Sequence, residues 1–187
     1  MNTFSTRPLD TANWPDFETL FGPKGACGGC WCMLWRLPRK AYAAGKGEGN
    51  RAAMLALTTS GLPPGLIGYA DGTPAAWCSV GPRSGFPGLA SSRILKPVDD
   101  LPVWSLSCLF VQKNYRRLGL SEKMIAAAAD FARLHGAPAL EAYPVEPRQG
   151  AMPDVFAWTG VAAPFFRLGF REVARRSEGR PVLRLEF

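Results

Sequence analysis

Val111-Gln-Lys-Asn-Tyr-Arg-Arg-Leu-Gly-Leu-Ser121 joins two segments whose apolar residues repeat with different periods. Before it, Val103-Trp-Ser-Leu-Ser-Cys-Leu-Phe-Val111 is rich in aromatic and branched residues and reads as a strand. After it, Leu120, Met124, Ala127, Phe131 and Leu134 recur at spacings of four and three, one face of an α-helix. The chain therefore runs strand, basic glycine turn, helix. A helix start points unpaired backbone N–H groups and the positive end of the helix dipole into one small volume. Phosphates bind there without needing a particular side chain. Lys113, Arg116, Arg117 and Lys123 add positive charge around it.

Other segments order themselves outward from this unit. Leu66-Ile-Gly-Tyr-Ala70 and Ala75-Ala-Trp-Cys-Ser-Val80 flank Asp71-Gly72, a strong hairpin signal. Ala137-Pro-Ala-Leu-Glu-Ala-Tyr-Pro144 reads as the strand after the helix, with Glu141 and Tyr143 on one face and Leu140 and Ala142 on the other. Arg171 to Arg175 and Pro181 to Phe187 read as strands joined by a hairpin loop at Ser177-Glu-Gly-Arg180. Loops are expected over Gly81 to Gly88 and Glu146 to Asp154. Toward the N-terminus, Asp10 or Thr11 is positioned to cap a helix carrying Trp14, Phe17, Leu20 and Phe21. Asn50 is positioned to cap another through Met54, Leu55 and Leu57, and Ala41 to Gly49 reads as a mobile connection.

The turn resembles the acyl-CoA signature of the GNAT N-acetyltransferases, whose pattern is Arg or Gln, two residues, Gly, one residue, then Gly or Ala. Arg116 fills the first position and Gly119 the central one, while Ser121 stands where Gly or Ala is usual. Phe165-Phe-Arg-Leu-Gly-Phe170 resembles the family's late-helix ending, Tyr-x-x-x-Gly-Phe, with Phe165 in place of the tyrosine. The resemblance covers about residues 65 to 187. It implies an α/β fold: a single GNAT-like domain with a mixed, mostly antiparallel central sheet flanked by helices. Residues 1–64 are then a helical, acceptor-side segment, and 65–187 the sheet core with the CoA site.

The function implied is acetyl transfer from acetyl-CoA, as cosubstrate, to a primary amine on a small molecule or peptide. Leu109, Phe110 and Val111 would offer backbone to pantetheine, with the N–H of Leu109 facing the oxyanion. Arg116, Arg117, Leu118, Gly119, Leu120 and Ser121 would hold the pyrophosphate. The amine must lose a proton, and the departing thiolate must gain one or leave as such. Glu141 is the candidate base, because a partly buried carboxylate on the neighbouring strand can have a raised pKa; the competing reading is a glutamate paired with a basic neighbour. Phe165 has no proton to give, which leaves Tyr143 or solvent as the acid. Cys108 keeps a ping-pong acyl-cysteine route open, although no activating base lies nearby in sequence. A non-catalytic acyl-CoA-binding module and an RNA- or protein-directed acyltransferase are the alternative functions.

Composition agrees with one globular domain: 187 residues, 47% of them hydrophobic. No apolar run is long enough to span a membrane, and the N-terminus lacks the apolar core of a secretory signal, so a cytoplasmic protein is expected. The net charge of +7 suits a polyanionic ligand. Its C-terminal share, Arg167, Arg171, Arg175, Arg176, Arg180 and Arg184, reads as a solvated strand face. No nucleic-acid-binding motif accompanies the charge, and the oligomeric state stays open, a dimer included.

The five cysteines are odd in number and argue against a disulfide framework. Cys27, Cys30 and Cys32 cluster, but Cys78, Cys108 and His135 offer no spaced fourth ligand, so no metal is expected. His135, before Gly136, instead suits a helix end. Cys32-Met-Leu-Trp35 and Trp31 read as a helix, with Trp31 and Trp35 on one wall of either an acceptor pocket or the core.

Overall fold

The computed structural model describes residues 3–146 and 157–187. Seven strands form one sheet: β1 (Phe4–Pro8), β2 (Gly65–Ala70), β3 (Thr73–Pro82), β4 (Trp104–Val111), β5 (Ala139–Ala142), β6 (Arg171–Arg175) and β7 (Pro181–Glu186). Their spatial order is β1-β2-β3-β4-β5-β7-β6. Every neighbouring pair is antiparallel except β4 and β5. That parallel pair needs a crossover, which the helix α5 (Leu120–Leu134) supplies. The remaining helices are α1 (Trp14–Phe21), α2 (Arg39–Ala44), α3 (Glu48–Thr58), α4 (Pro87–Ala90) and α6 (Ala162–Arg167). The order of elements after residue 65 is the expected one, and the fold is a single mixed, mostly antiparallel α/β domain.

Each sheet face buries its own core. On one, Ala76, Cys78 and Val80 of β3, Leu106 of β4 and Leu140 and Ala142 of β5 meet Met124, Ile125 and Ala128 of α5. On the other, Trp77 packs among Phe17 and Phe21 of α1 and Trp31. Alternation along the strands sends neighbouring side chains to opposite cores. The β2–β3 turn has Asp71 and Gly72 at φ 47° and 80°, as a two-residue hairpin of primed type requires. His135 ends α5 with its Nδ1 2.8 Å from the carbonyl of Phe131. No helix among the described residues is long and apolar enough to cross a membrane.

The N-terminal third differs from its sequence reading in four places. Residues 1–64 are not helical throughout, because β1 pairs antiparallel with β2. Asn13, not Asp10 or Thr11, flanks α1. Asp10 stands one step back, accepting from the N–H groups of Ala12 and Asn13 at 2.8 and 3.0 Å. Asn50 lies inside α3 and does not cap it; its Nδ2 donates to the carbonyl of Gly29 at 3.0 Å. The expected mobile connection at 41–49 instead contains most of α2 and the start of α3.

Trp31 and Trp35 do not share a helix either. Trp31 and Cys32 are both left-handed, at φ 44° and 61°, which no α-helix allows. The cause is the preceding Gly25-Ala-Cys-Gly-Gly29. A Cβ on Gly25 would sit 2.4 Å from Trp31 Nε1, and one on Gly29 would sit 2.4 Å from the backbone nitrogen of Gly47. Glycine lets the chain approach this closely and double back. Trp31 then enters the α1 core, while Trp35 packs against Trp158 with ring centroids 6.0 Å apart.

Candidate active site

The turn between β4 and α5 leaves backbone N–H groups open at the start of an uncapped helix. Gln112 accepts from the N–H of Asn114 at 3.2 Å and opens a short turn over Lys113–Tyr115. Arg116 folds back, its Nε donating to the carbonyl of Val111 at 3.1 Å. Arg117 and Gly119 are left-handed, at φ 62° and 75°. The first backbone bond into α5 runs from Lys123 N–H to the carbonyl of Gly119 at 3.3 Å, and no side chain caps the helix. The N–H groups of Leu120, Ser121 and Glu122 thus precede the helix's own bonding pattern. A Cβ on Gly119 would meet no protein atom within 4 Å, so the turn presents open backbone there.

Next to this turn the sheet opens. β4 and β5 pair only at Trp104–Leu140, Ser105–Glu141 and Leu106–Ala142. β4 then continues to Val111 against β3, whereas the chain after β5 leaves it and bridges Val145 to Val161. The register between β3 and β4 slips here, Val80 facing Leu106 and Ser79 facing Cys108, so Ser107 is an extra residue on β4. Such a bulge bends a strand and re-aims the residues beyond it. Freed from β5, the N–H of Leu109 donates to the carbonyl of Trp158 at 2.7 Å. Leu109, Phe110, Val111 and the residues from Arg116 to Ser121 therefore border one continuous stretch, from the parting of the strands to the start of α5.

Glu141 and Tyr143 share a face, as alternation requires, but the structure does not bring them to that opening. Glu141 is 1% exposed and pairs with two guanidinium groups. Its Oε1 accepts from Arg184 Nε at 3.1 Å and Nη2 at 2.7 Å. Its Oε2 accepts from Arg83 Nη1 at 3.0 Å and the Tyr143 hydroxyl at 3.2 Å. A carboxylate offers about four lone-pair sites, and here all four are taken. Glu141 also sits level with Ser105, which at about 3.3 Å per residue places it roughly 10 Å along the strand from Leu109. Both observations favour the competing reading, a glutamate paired with basic neighbours, over that of proton acceptor.

Tyr143 is fully buried. Burial and the charge of Glu141 raise its phenol above the usual range, while its hydroxyl also meets Arg83 and lies 2.7 Å from Ser105 Oγ. It is no freer than Glu141 to serve as an acid. Phe165 is core, edge-on to Phe170.

Arg184 does not lie on the expected solvated face: it is 7% exposed and also binds Asp99 through Nη1 and Nη2 at 2.7 and 2.9 Å. Arg36, Arg83, Ser79 and Ser105 carry no motif that singles them out in the sequence. Arginines flanked by small or apolar residues in or beside predicted strands are the available signal.

Arg36 crosses the α1 side of β3. Its Nε and Nη2 donate to Ser79 Oγ at 3.2 and 3.1 Å, Nη2 also reaches the carbonyl of Pro64 at 2.6 Å, and the guanidinium lies 4.2 Å above the Phe86 ring. Trp77 Nε1 donates to Cys32 Sγ at 3.2 Å. Burial opposes ionisation of Cys32, but hydrogen bonds from Cys108 and Trp77 and the charge of Arg36 outweigh it and hold that thiol below its ordinary range. Cys108 moves the opposite way, raised by its hydrogen bond to Cys32 and by burial. All five cysteines are free thiols, and no group of three or more His, Cys, Asp or Glu side chains among the described residues is placed to hold a metal.

The Acetyltransferase (GNAT) family model matches residues 31–170. No curated protein matches the sequence. Among solved structures, PaiA N-acetyltransferase from Thermoplasma acidophilum, in complex with coenzyme A, is 11% identical, with a TM-score of 0.55 over 99% of each chain. An agmatine N-acetyltransferase is 14% identical, with a TM-score of 0.57 over 98% of this chain and 99% of its own. YncA from Salmonella typhimurium, solved with acetyl-CoA, is 16% identical, with a TM-score of 0.55 over 99% and 94%. At such identities the structures share the fold.

Proposed function

This chain belongs to the GNAT acetyltransferase family, and from that premise we propose that it moves the acetyl group of acetyl-CoA to a primary amine by direct attack, both substrates meeting where β4 parts from β5. The observation that carries this reading is the coincidence of three features: a bulged strand that loses its neighbour after Leu106, an N–H at Leu109 aimed into the gap, and a basic, left-handed turn at the start of α5. Structures of like fold that hold CoA or acetyl-CoA support the choice of cosubstrate.

In this scheme the turn from Arg116 to Ser121 takes the pyrophosphate, and the edge of Leu109 to Val111 that β5 leaves unpaired runs beside pantetheine. The neutral amine attacks the thioester carbon, and the carbonyl oxygen gains charge that a preorganised N–H stabilises. Leu109 supplies that N–H once the Trp158 carbonyl releases it. The C–S bond then breaks, CoA leaves as thiolate, and the ammonium proton passes to water. The positioning role falls to Glu141, which fixes Arg83 and Arg184 under β5.

Release of CoA thiol from acetyl-CoA, measured across a panel of small amines and amine-terminated peptides, tests the proposal. Acceptor-dependent release is expected. A protein that binds acetyl-CoA yet releases CoA at the same rate with and without every amine would refute it.

A further inference from the structure

We propose that Arg36 anchors the acceptor by its carboxylate, so that the amine substrates of this enzyme are amino acids. The inference rests on the acetyl-transfer reading above and narrows its acceptor class.

The guanidinium of Arg36 is held from two sides and from below. Ser79 Oγ and the carbonyl of Pro64 take its Nε and Nη2, and the ring of Phe86 supports its face. A guanidinium fixed in this way has already lost the rotamer freedom that binding would otherwise cost. Arg36 nevertheless has no carboxylate partner among the described residues. The two other arginines that reach under this sheet face do: Arg83 pairs with Glu141, and Arg184 with Glu141 and Asp99. A half-buried guanidinium without a carboxylate partner is only partly compensated, and burial pushes Arg36 down to about 10 against the pull of Cys32 and Cys108. The N–H groups of its Nη1 have no acceptor among the described residues. The Nε1 of the adjacent Trp35 is also buried without one. This corner has more donors than acceptors, and a carboxylate is the group that matches a guanidinium edge.

The placement suits the reaction. Ser79, which holds Arg36, faces Cys108 across the strand pair, and Cys108 precedes Leu109. Paired Cα atoms lie about 5 Å apart, so the guanidinium on Ser79 is within about 10 Å of the backbone beside the expected thioester. A carboxylate held on that guanidinium leaves only a short span to an amine at the thioester carbon, which suits an amino acid better than a long-chain amine. Trp35, next to Arg36, packs against Trp158, whose carbonyl holds the Leu109 N–H, so acceptor anchor and acetyl site share a wall.

The test pairs each acceptor with its carboxylate-free analogue: phenylalanine with phenethylamine, tryptophan with tryptamine, arginine with agmatine. We expect at least one amino acid to exceed its partner amine tenfold or more in kcat/KM. Arg36→Gln should raise KM for that amino acid tenfold or more, change kcat little, and leave KM for the partner amine unaltered. Gly85→Asp is the second variant, because a Cβ there lies 3.8 Å from Arg36 Nη1 and the new carboxylate would occupy the same N–H groups. It should raise KM for the amino acid in the same way while raising Tm. Equal kcat/KM within every pair, or an amino-acid KM unmoved by both variants, would overturn the anchor and leave acetyl transfer intact. Binding of acetyl-CoA without transfer to any amine would overturn both.

Discussion

The backbone N–H of Leu109 donates to the carbonyl of Trp158 at 2.7 Å, across the gap that β5 leaves beside β4. One N–H serves one strong acceptor, so a thioester oxygen can use this donor only if Trp158 gives it up. Acetyl-CoA should therefore accelerate hydrogen exchange at residues 157–160, while the Leu109 amide stays protected by its new partner. Unchanged exchange at 157–160 in the bound protein would show that Leu109 is not the donor.

Gly119 is left-handed at φ 75° and open to solvent, and the proposed pyrophosphate site lies there. Gly119→Val adds about 1–2 kcal/mol of backbone strain and a side chain in the path of the ligand. Calorimetry should show CoA affinity falling more than tenfold, and much less for Arg117→Ala, whose residue is already left-handed. Equal affinities for wild type and Gly119→Val would place the phosphates elsewhere.

Glu141 pairs with two arginines, and removing one partner of a buried ion pair costs about 3–5 kcal/mol. Glu141→Gln should lower unfolding stability by about that amount. At temperatures where the variant stays folded, its pH–rate profile should keep the wild-type shape. A rate loss that disappears at high pH, with stability unchanged, would restore Glu141 as the base.

The partners of Glu141 explain what the sequence could and could not tell. Glu141 and Tyr143 share a face because strands have a period of two, which is local information. Arg83 and Arg184 lie 58 and 43 residues away, and their meeting depends on strand order and register. The strand, turn and helix around Gly119 are legible because the apolar period changes at a basic glycine, and the β2–β3 hairpin because Asp71-Gly72 marks it. β1 is not, since Phe4-Ser-Thr-Arg-Pro8 is a short, largely exposed edge whose extension comes from pairing with β2. The Trp31–Trp35 segment reads as helix from its spacing and is not one, because spacing alone does not reveal close approaches such as Gly29 against Gly47 just before it.

Asp99 adds a pH dependence. The Arg184 hydrogen bond holds its carboxyl below the ordinary value of 3.8. A depressed folded pKa stabilises above the unfolded value and loses that contribution as pH falls through the folded one. Asp99 is half exposed, so the effect is small, a few degrees of Tm at most. Asp99→Asn should melt slightly lower than wild type at neutral pH, and the two should converge below about pH 3.8. A constant difference across that range would remove Asp99 from the acid response.

Intact-mass analysis of the protein and its small-molecule products, first with acetyl-CoA alone and then with the panel of amine and amino-acid acceptors added, tests direct acetyl transfer most directly. The account predicts unmodified protein in the first step and an acetylated acceptor with stoichiometric CoA in the second. An acetyl group trapped on Cys108 and passed on to the acceptor, or no acetylated amine from a protein that binds acetyl-CoA, would contradict it.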